Sequence, residues 1–221
     1  MKLNPRILKF ALREAEDHLM PDLHFTMELH RFLKDIIDSD TYLSSEFGFK
    51  KFLSDYSVGR TIKAGDLPKM QILTIIKDFQ FGKSPVQKIE LFANTIQQNG
   101  LSSNSGKGGP GLPLSFSSKF LYVLKPDQLI PYDSYVLKSL QLRTGLPLKT
   151  LDHYYEHANQ FRLNYFPETG KEVILLKQKS DPQFRSQISK LKINVDKLLS
   201  CKLTDKYLWC EHFLRRSNKK L

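Results

Sequence analysis

Cysteine is almost missing from this chain. Cys201 and Cys210 are the only two in 221 residues, and their spacing fits neither a zinc nor an iron–sulfur site. Two buried, reduced thiols are expected, in keeping with a reducing compartment. A long apolar run is also missing, so no segment is expected to span a bilayer. The N-terminal MKLNPRILKFALREAEDH turns acidic and amphipathic too soon for a signal peptide. These absences predict a cytoplasmic chain with no membrane partner. Acidic residues are in deficit as well: 23 Asp and Glu face 34 Lys and Arg, a formal net charge of +11. Such an excess favours a polyanion, nucleic acid first and an anionic membrane surface second. A basic protein with no such partner is the plainer alternative. No internal repeat and no linker stand out. The 40% hydrophobic content suffices for one large domain or two subdomains sharing an interface.

The apolar residues recur at helical spacing nearly throughout. Residues 5–20 predict a helix ended by Pro21, and 22–38 a second one carrying His24 and His30 as ordinary boundary histidines. Phe47, Phe49, Phe52, Leu53 and Tyr56 form an aromatic cluster on a short helix. Arg60 follows Gly59 at an element boundary, where a basic side chain meets either phosphate or solvent. Asp66 reads as the N-cap of a helix to about Phe79, with Pro68 early in it. Ser84 caps a helix that has Pro85 first and stops at Asn99-Gly100. After a turn at Thr144–Pro147, LDHYYEHANQF is helical. Its His153 and His157 have i, i+4 spacing but lack a third metal ligand. The segment 172–177 is a strand or a buried helical turn. Residues 182–200 predict one amphipathic helix, and Thr204 or Asp205 caps the last. All elements but one short, ambiguous segment point to an all-α chain.

The chemistry concentrates between residues 101 and 140. LSSNSGKGGPGL (101–112) is the only low-complexity stretch. Its glycines permit unusual backbone angles. It is either a plain surface loop or a turn whose N–H groups, with Lys107, hold a phosphate ahead of a helix N-terminus. In the helix that follows, Ser115 and Lys119 share a face at i, i+4. Lys125-Pro126-Asp127 breaks that helix, and Pro131-Tyr132-Asp133 leads into the next. Asp133 or Ser134 is positioned to cap this second helix, and Lys119 to lie along the protein boundary with its amine in water or paired.

The stretch SFSSKFLYVLKPDQLIPYDSYVLKSL (115–140) resembles the helix–hairpin–helix DNA glycosylase superfamily, specifically prokaryotic proteins similar to 8-oxoguanine DNA glycosylase. The matching residues are Ser115, Ser118, Lys119, Leu121, Leu124, Pro126, Pro131, Asp133, Ser134 and Val136. TDKYLWC (204–210) resembles a late helix of the same proteins. The close match covers about a tenth of the chain. The resemblance implies one all-helical unit over 1–221, built as two helical subdomains with a cleft between them. It implies a DNA-gripping hairpin at Gly106, Lys107, Gly108, Gly109, Gly111 and Ser115, and Asp133 as the catalytic carboxylate. Bifunctional members add a lysine nucleophile, whose place falls near Ser115 here, one turn before Lys119. GKGGPGLPL departs from the compact hairpin of the family. The implied partner is duplex DNA with an extruded base, bound by a monomer without cofactor or metal.

Elementary chemistry accommodates that role. Breaking an N-glycosidic bond develops positive charge on the sugar, which a carboxylate in a dry cleft stabilises. A lysine with a lowered pKa attacks the sugar as an amine. A pocket for an extruded base needs aromatic walls. Tyr132, Tyr135, Tyr154 and Tyr155 are candidates, although aromatic stripes serve cores more often. Two other classes remain open: a non-catalytic nucleic-acid-binding module, and a helical protein-interaction subunit.

Overall fold

A computed structural model describes residues 2–81, 85–103 and 112–217. Among them the chain is all-helical, with eleven α-helices, one 3₁₀ turn and a single isolated β-bridge between Ile62 and Ser102. Contacts divide it into two compact units, Asp22–Lys125, and Met1–Pro21 joined with Pro126–Leu221. No helix of the described residues is long and apolar enough to cross a membrane.

The boundary between the units falls inside helix α1 (Pro5–Leu33). Two helices separated by Pro21 were expected there; the structure has one. Proline removes one i→i−4 bond and crowds the carbonyl one turn back. Helical burial nevertheless continues on both sides of it, through Ile7, Ala11, Ala15 and Leu19 before and Asp22, Phe25, Leu29 and Phe32 after. Burial of that stripe outweighs the lost bond. The helix stops at Leu33, short of the expected residue 38, where Asp35 adopts a positive φ of 54°.

The unit Asp22–Lys125 contains α2 (Ser39–Ser44), α3 (Phe49–Asp55), the 3₁₀ turn Gly59–Thr61, α4 (Asp66–Asp78), α5 (Pro85–Gln98) and α6 (Leu114–Leu124). Its core is a continuous set of rings. Phe32 stacks on Tyr42 at 4.7 Å, and Phe52 meets Phe116 and Phe120 edge-on at 6.2 and 6.0 Å. Phe92 packs against both Phe116 and Phe120 from α5. Such pairs each add about 0.5–1.5 kcal/mol beyond area burial. Gly48 is needed where α3 begins, since a Cβ there would lie 2.0 Å from the Tyr42 carbonyl oxygen. Helix α4 begins one residue earlier than an Asp66 cap requires: Gly65 is the N-cap, and Asp66 occupies the first turn. A carboxylate there is still favoured by the helix dipole. Pro85 starts α5 as expected, and Gly100 leaves it with φ 67°. Ser84 lies outside the described residues.

The other unit contains α7 (Ser134–Thr144), α8 (Leu151–Tyr165), α9 (Lys171–Lys179), α10 (Pro182–Lys190) and α11 (Val195–Arg216), with the first part of α1. The ambiguous 172–177 segment is helical, within α9. The single helix expected over 182–200 is two: Lys192 takes a positive φ of 57° after α10, and Asn194 caps α11 by accepting from the Lys197 N–H. Thr204 and Asp205 are therefore not caps but buried residues in the middle of α11. Thr204 satisfies its hydroxyl on the Ser200 carbonyl one turn back, so it needs no helix end. Cys201 and Cys210 are both buried and free on α11, and burial pushes each thiol up to about 12.

Candidate functional site

Lys119 sits on α6, an unusually apolar helix that buries Phe116, Phe120, Leu121 and Val123. Lys119 itself is half-buried. Its ammonium donates to the Tyr56 carbonyl at 3.1 Å. The Tyr56 hydroxyl in turn donates to Asp22 Oδ1 at 2.6 Å, and the Tyr122 hydroxyl to Asp22 Oδ2 at 2.7 Å. Lys119 and Tyr122 are one turn apart on α6, while Asp22 comes from α1. Asp22 is only 6% exposed. Two short O–H donors therefore hold a buried carboxylate, which burial alone would penalise heavily. Thr26, one turn on from Asp22, donates to the Val123 carbonyl at 2.8 Å and ties α1 to α6. Ser115 lies in the first turn of α6, half-buried, and its carbonyl accepts from the Ser118 hydroxyl at 3.2 Å. Gly106, Lys107, Gly108, Gly109 and Gly111 lie outside the described residues.

Asp133 belongs to the other unit. It is the N-cap of α7, accepting from the Tyr135 N–H at 2.8 Å with extended backbone. Capping, offered by the sequence as an alternative for this residue, is realised. Two buried anchors hold the element that carries it. The Tyr154 hydroxyl donates to the Pro131 carbonyl at 2.6 Å, just before Asp133, and the Ser139 hydroxyl to the Leu208 carbonyl on α11 at 2.7 Å. Near the far end of α7, Arg143 makes a bidentate pair with Glu211 at 2.7 and 2.8 Å, and its guanidinium lies over the Phe161 ring at 4.8 Å. Glu211 is buried and the Arg143 side chain only 9% exposed, so α7 is clamped to α11 by a charge pair that tolerates little displacement.

The half-buried carboxylate has a ring-lined setting. Tyr132 packs on Tyr154 at 4.9 Å, and Tyr135 lies 5.0 Å from His212 and 5.9 Å from Trp209. Burial and then the Asp133 charge raise the Tyr132 phenol above its ordinary range. Burial raises Tyr154 well above it, with Tyr155, Asp205 and Asp133 adding. His212 is lowered by burial and by Lys138, Arg216 and Arg215, against an opposing pull from Asp133. The Tyr155 hydroxyl is buried and has no hydrogen-bond partner among the described residues. His153 and His157 lie on α8, and no group of three or more metal-type ligands assembles among the described residues.

Lys119 is thus gathered with Tyr56, Asp22 and Tyr122 in one unit, and Asp133 with Tyr132, Tyr135, Tyr154 and His212 in the other. Sequence reasoning had missed Asp22, Tyr56, Tyr122, Arg143 and His212 as neighbours of these two residues. Only Asp22 carried a local signal, an acidic residue on the apolar stripe of its helix. Comparison of the chain with protein-family models, with curated proteins and with solved structures found no match.

Proposed function

We propose that this protein is a DNA glycosylase that hydrolyses the N-glycosidic bond of a modified base. Asp133 supplies the catalytic carboxylate, and Lys119 serves as nucleophile or electrostatic partner. The observation that carries this reading is the placement of Asp133. Its carboxylate is half-buried and oriented by the Tyr135 N–H, on a helix clamped by Arg143–Glu211. A carboxylate fixed in this way stabilises developing positive charge on a sugar without reorganising. The +11 charge supports a polyanionic substrate, and the 115–140 motif supports the reaction class. Tyrosines around Asp133 are suited to stacking on an extruded base.

A non-catalytic nucleic-acid-binding module is the second reading. It is favoured by the fact that both key side chains have structural work: Asp133 caps α7 and Lys119 holds the Tyr56 carbonyl. Release of free base from a panel of DNAs bearing different modified bases separates the two, with wild type and Asp133→Asn run side by side. Asparagine caps about as well as aspartate, so the variant keeps the helix and loses only the charge. Release by wild type and loss in the variant, with DNA binding retained, supports the glycosylase. Salt-sensitive binding without release by either protein supports the module. If release occurs, borohydride trapping that disappears in Lys119→Gln assigns the lysine as nucleophile.

A further inference from the structure

The unit Asp22–Lys125 also has a basic cavity, whose lining does not include Lys119. This cavity, of about 420 Å³, is lined by Lys50, Ser54, Lys63 and Lys69, with Gly59 and Gly65 in its wall. The geometry points to this cavity as a subsite for a backbone phosphate of the bound nucleic acid. The inference rests on the nucleic-acid reading above but not on catalysis.

Its three lysines come from three segments: α3, the loop after the 3₁₀ turn, and α4. They lie within one short stretch of chain, and the turn between α3 and α4 folds them onto one cavity. One carboxylate answers them. Asp66 takes Lys50 at 2.8 Å and Lys69 at 3.5 Å, and its own side chain is 60% exposed. Lys50, followed by Lys69, holds Asp66 below the ordinary carboxylate range. Lys63 makes no ion pair among the described residues. Positive charge is thus in excess, in a concave site large enough for a phosphodiester.

Gly65 has φ 96°, a conformation that side-chain-bearing residues rarely adopt. The Lys63 loop is also fixed in place. Lys63 N–H donates to the Leu101 carbonyl at 2.8 Å, Ser103 N–H donates to the Thr61 carbonyl at 3.1 Å, and Ile62 bridges Ser102. The Lys63 ammonium stands 3.9 Å from where a Cβ would sit on Gly100. These pairs set Lys63 and its neighbour Arg60 beside residues 101–103, the segment that precedes the glycine-rich run. Lysine suits the site chemically: a compact charge on a flexible stem meets phosphate without reading bases.

The test is affinity for a duplex DNA, read by fluorescence anisotropy over a range of salt concentrations. Wild type is compared with Lys50→Gln/Lys63→Gln/Lys69→Gln, with Lys63→Gln alone and with Asp66→Asn. One or two phosphates lost from contact lower the slope of log K against log salt by about 1 to 2 in the triple variant. The loss should be uniform across DNA sequences. Removing the competing carboxylate in Asp66→Asn should tighten binding about fivefold at low salt. A purely structural role for these residues would weaken binding in every variant. An unchanged slope in the triple variant, or no tightening in Asp66→Asn, overturns the subsite and leaves the glycosylase reading intact. If the triple variant does not fold by circular dichroism, exposed Lys63→Gln decides alone, by a slope loss of about 1 or none. Failure of wild type to bind DNA at all overturns both.

Discussion

The two units bury charge by different means. In Asp22–Lys125 the Asp22 carboxylate lies among aromatic rings and takes hydrogen bonds from the hydroxyls of Tyr56 and Tyr122. In the other unit Glu211 is closed by the Arg143 guanidinium, which itself rests on the rings of Phe161 and Tyr207. A phenol network is directional and loses one donor at a time. An ion pair fails as a whole, because removing one charge strands the other in a low-dielectric interior. The unit holding Lys119 is therefore organised by hydrogen-bond geometry around one anion, and the unit holding Asp133 by a clamp between two helices.

Neutralising Glu211 should break this comparison most severely. Glu211→Gln leaves Arg143 buried without its charge partner, a loss of about 3–5 kcal/mol measurable by urea unfolding. Tyr122→Phe removes only one donor from Asp22 and should cost about 1–3 kcal/mol by the same measurement. Its counterpart sharpens the point: Tyr155→Phe deletes a buried hydroxyl with no partner among the described residues. It should leave stability unchanged or raise it.

Asp133→Ala loses the cap on α7 and should cost about 1 kcal/mol, whereas Asp133→Asn should cost a few tenths at most. If Asn destabilises as much as Ala, the charge rather than the cap holds the helix.

The smallest expected effect is on pH dependence. Burial, with Lys34 and Lys125 nearby, lowers His30 below its ordinary value against the pull of the Leu124 carbonyl. The folded state therefore binds this proton less readily than the unfolded state. Stability should be full above the unfolded value near 6.5 and fall as pH drops from there through the lower folded value. His212 in the other unit is shifted in the same direction. His30→Gln and His212→Gln should each flatten part of that slope in denaturation curves, and identical slopes in both variants and wild type would refute the assignment.

Much of the helical order was legible because short-range chemistry announces it. Pro85 and Gly100 bound α5, Pro126 ends the α6 segment, and Asp133 caps α7 from residues within a few positions of one another. The same local rules misled where burial at a distance decided. Pro21 reads as a stop, yet α1 runs through it because its buried stripe continues. Thr204 reads as a cap, yet it is interior to α11 because its hydroxyl finds the Ser200 carbonyl. Of the candidate site, Asp133 and Lys119 were legible as residue types in a motif. Their partners were not, since Asp22 and Tyr122 are separated by 100 positions and Arg143 and Glu211 by 68.

The amino-acid order by itself determined the helical class, most element ends and the basic charge, because periodicity, proline, glycine and net charge act over a few residues or by simple sum. Only the tertiary structure decided which phenols hold Asp22, which carboxylate closes on Arg143 and which lysines converge on one cavity. Those pairings depend on satisfying buried polar and charged groups, and a chain carries no local sign of a partner that folding brings from a distant segment.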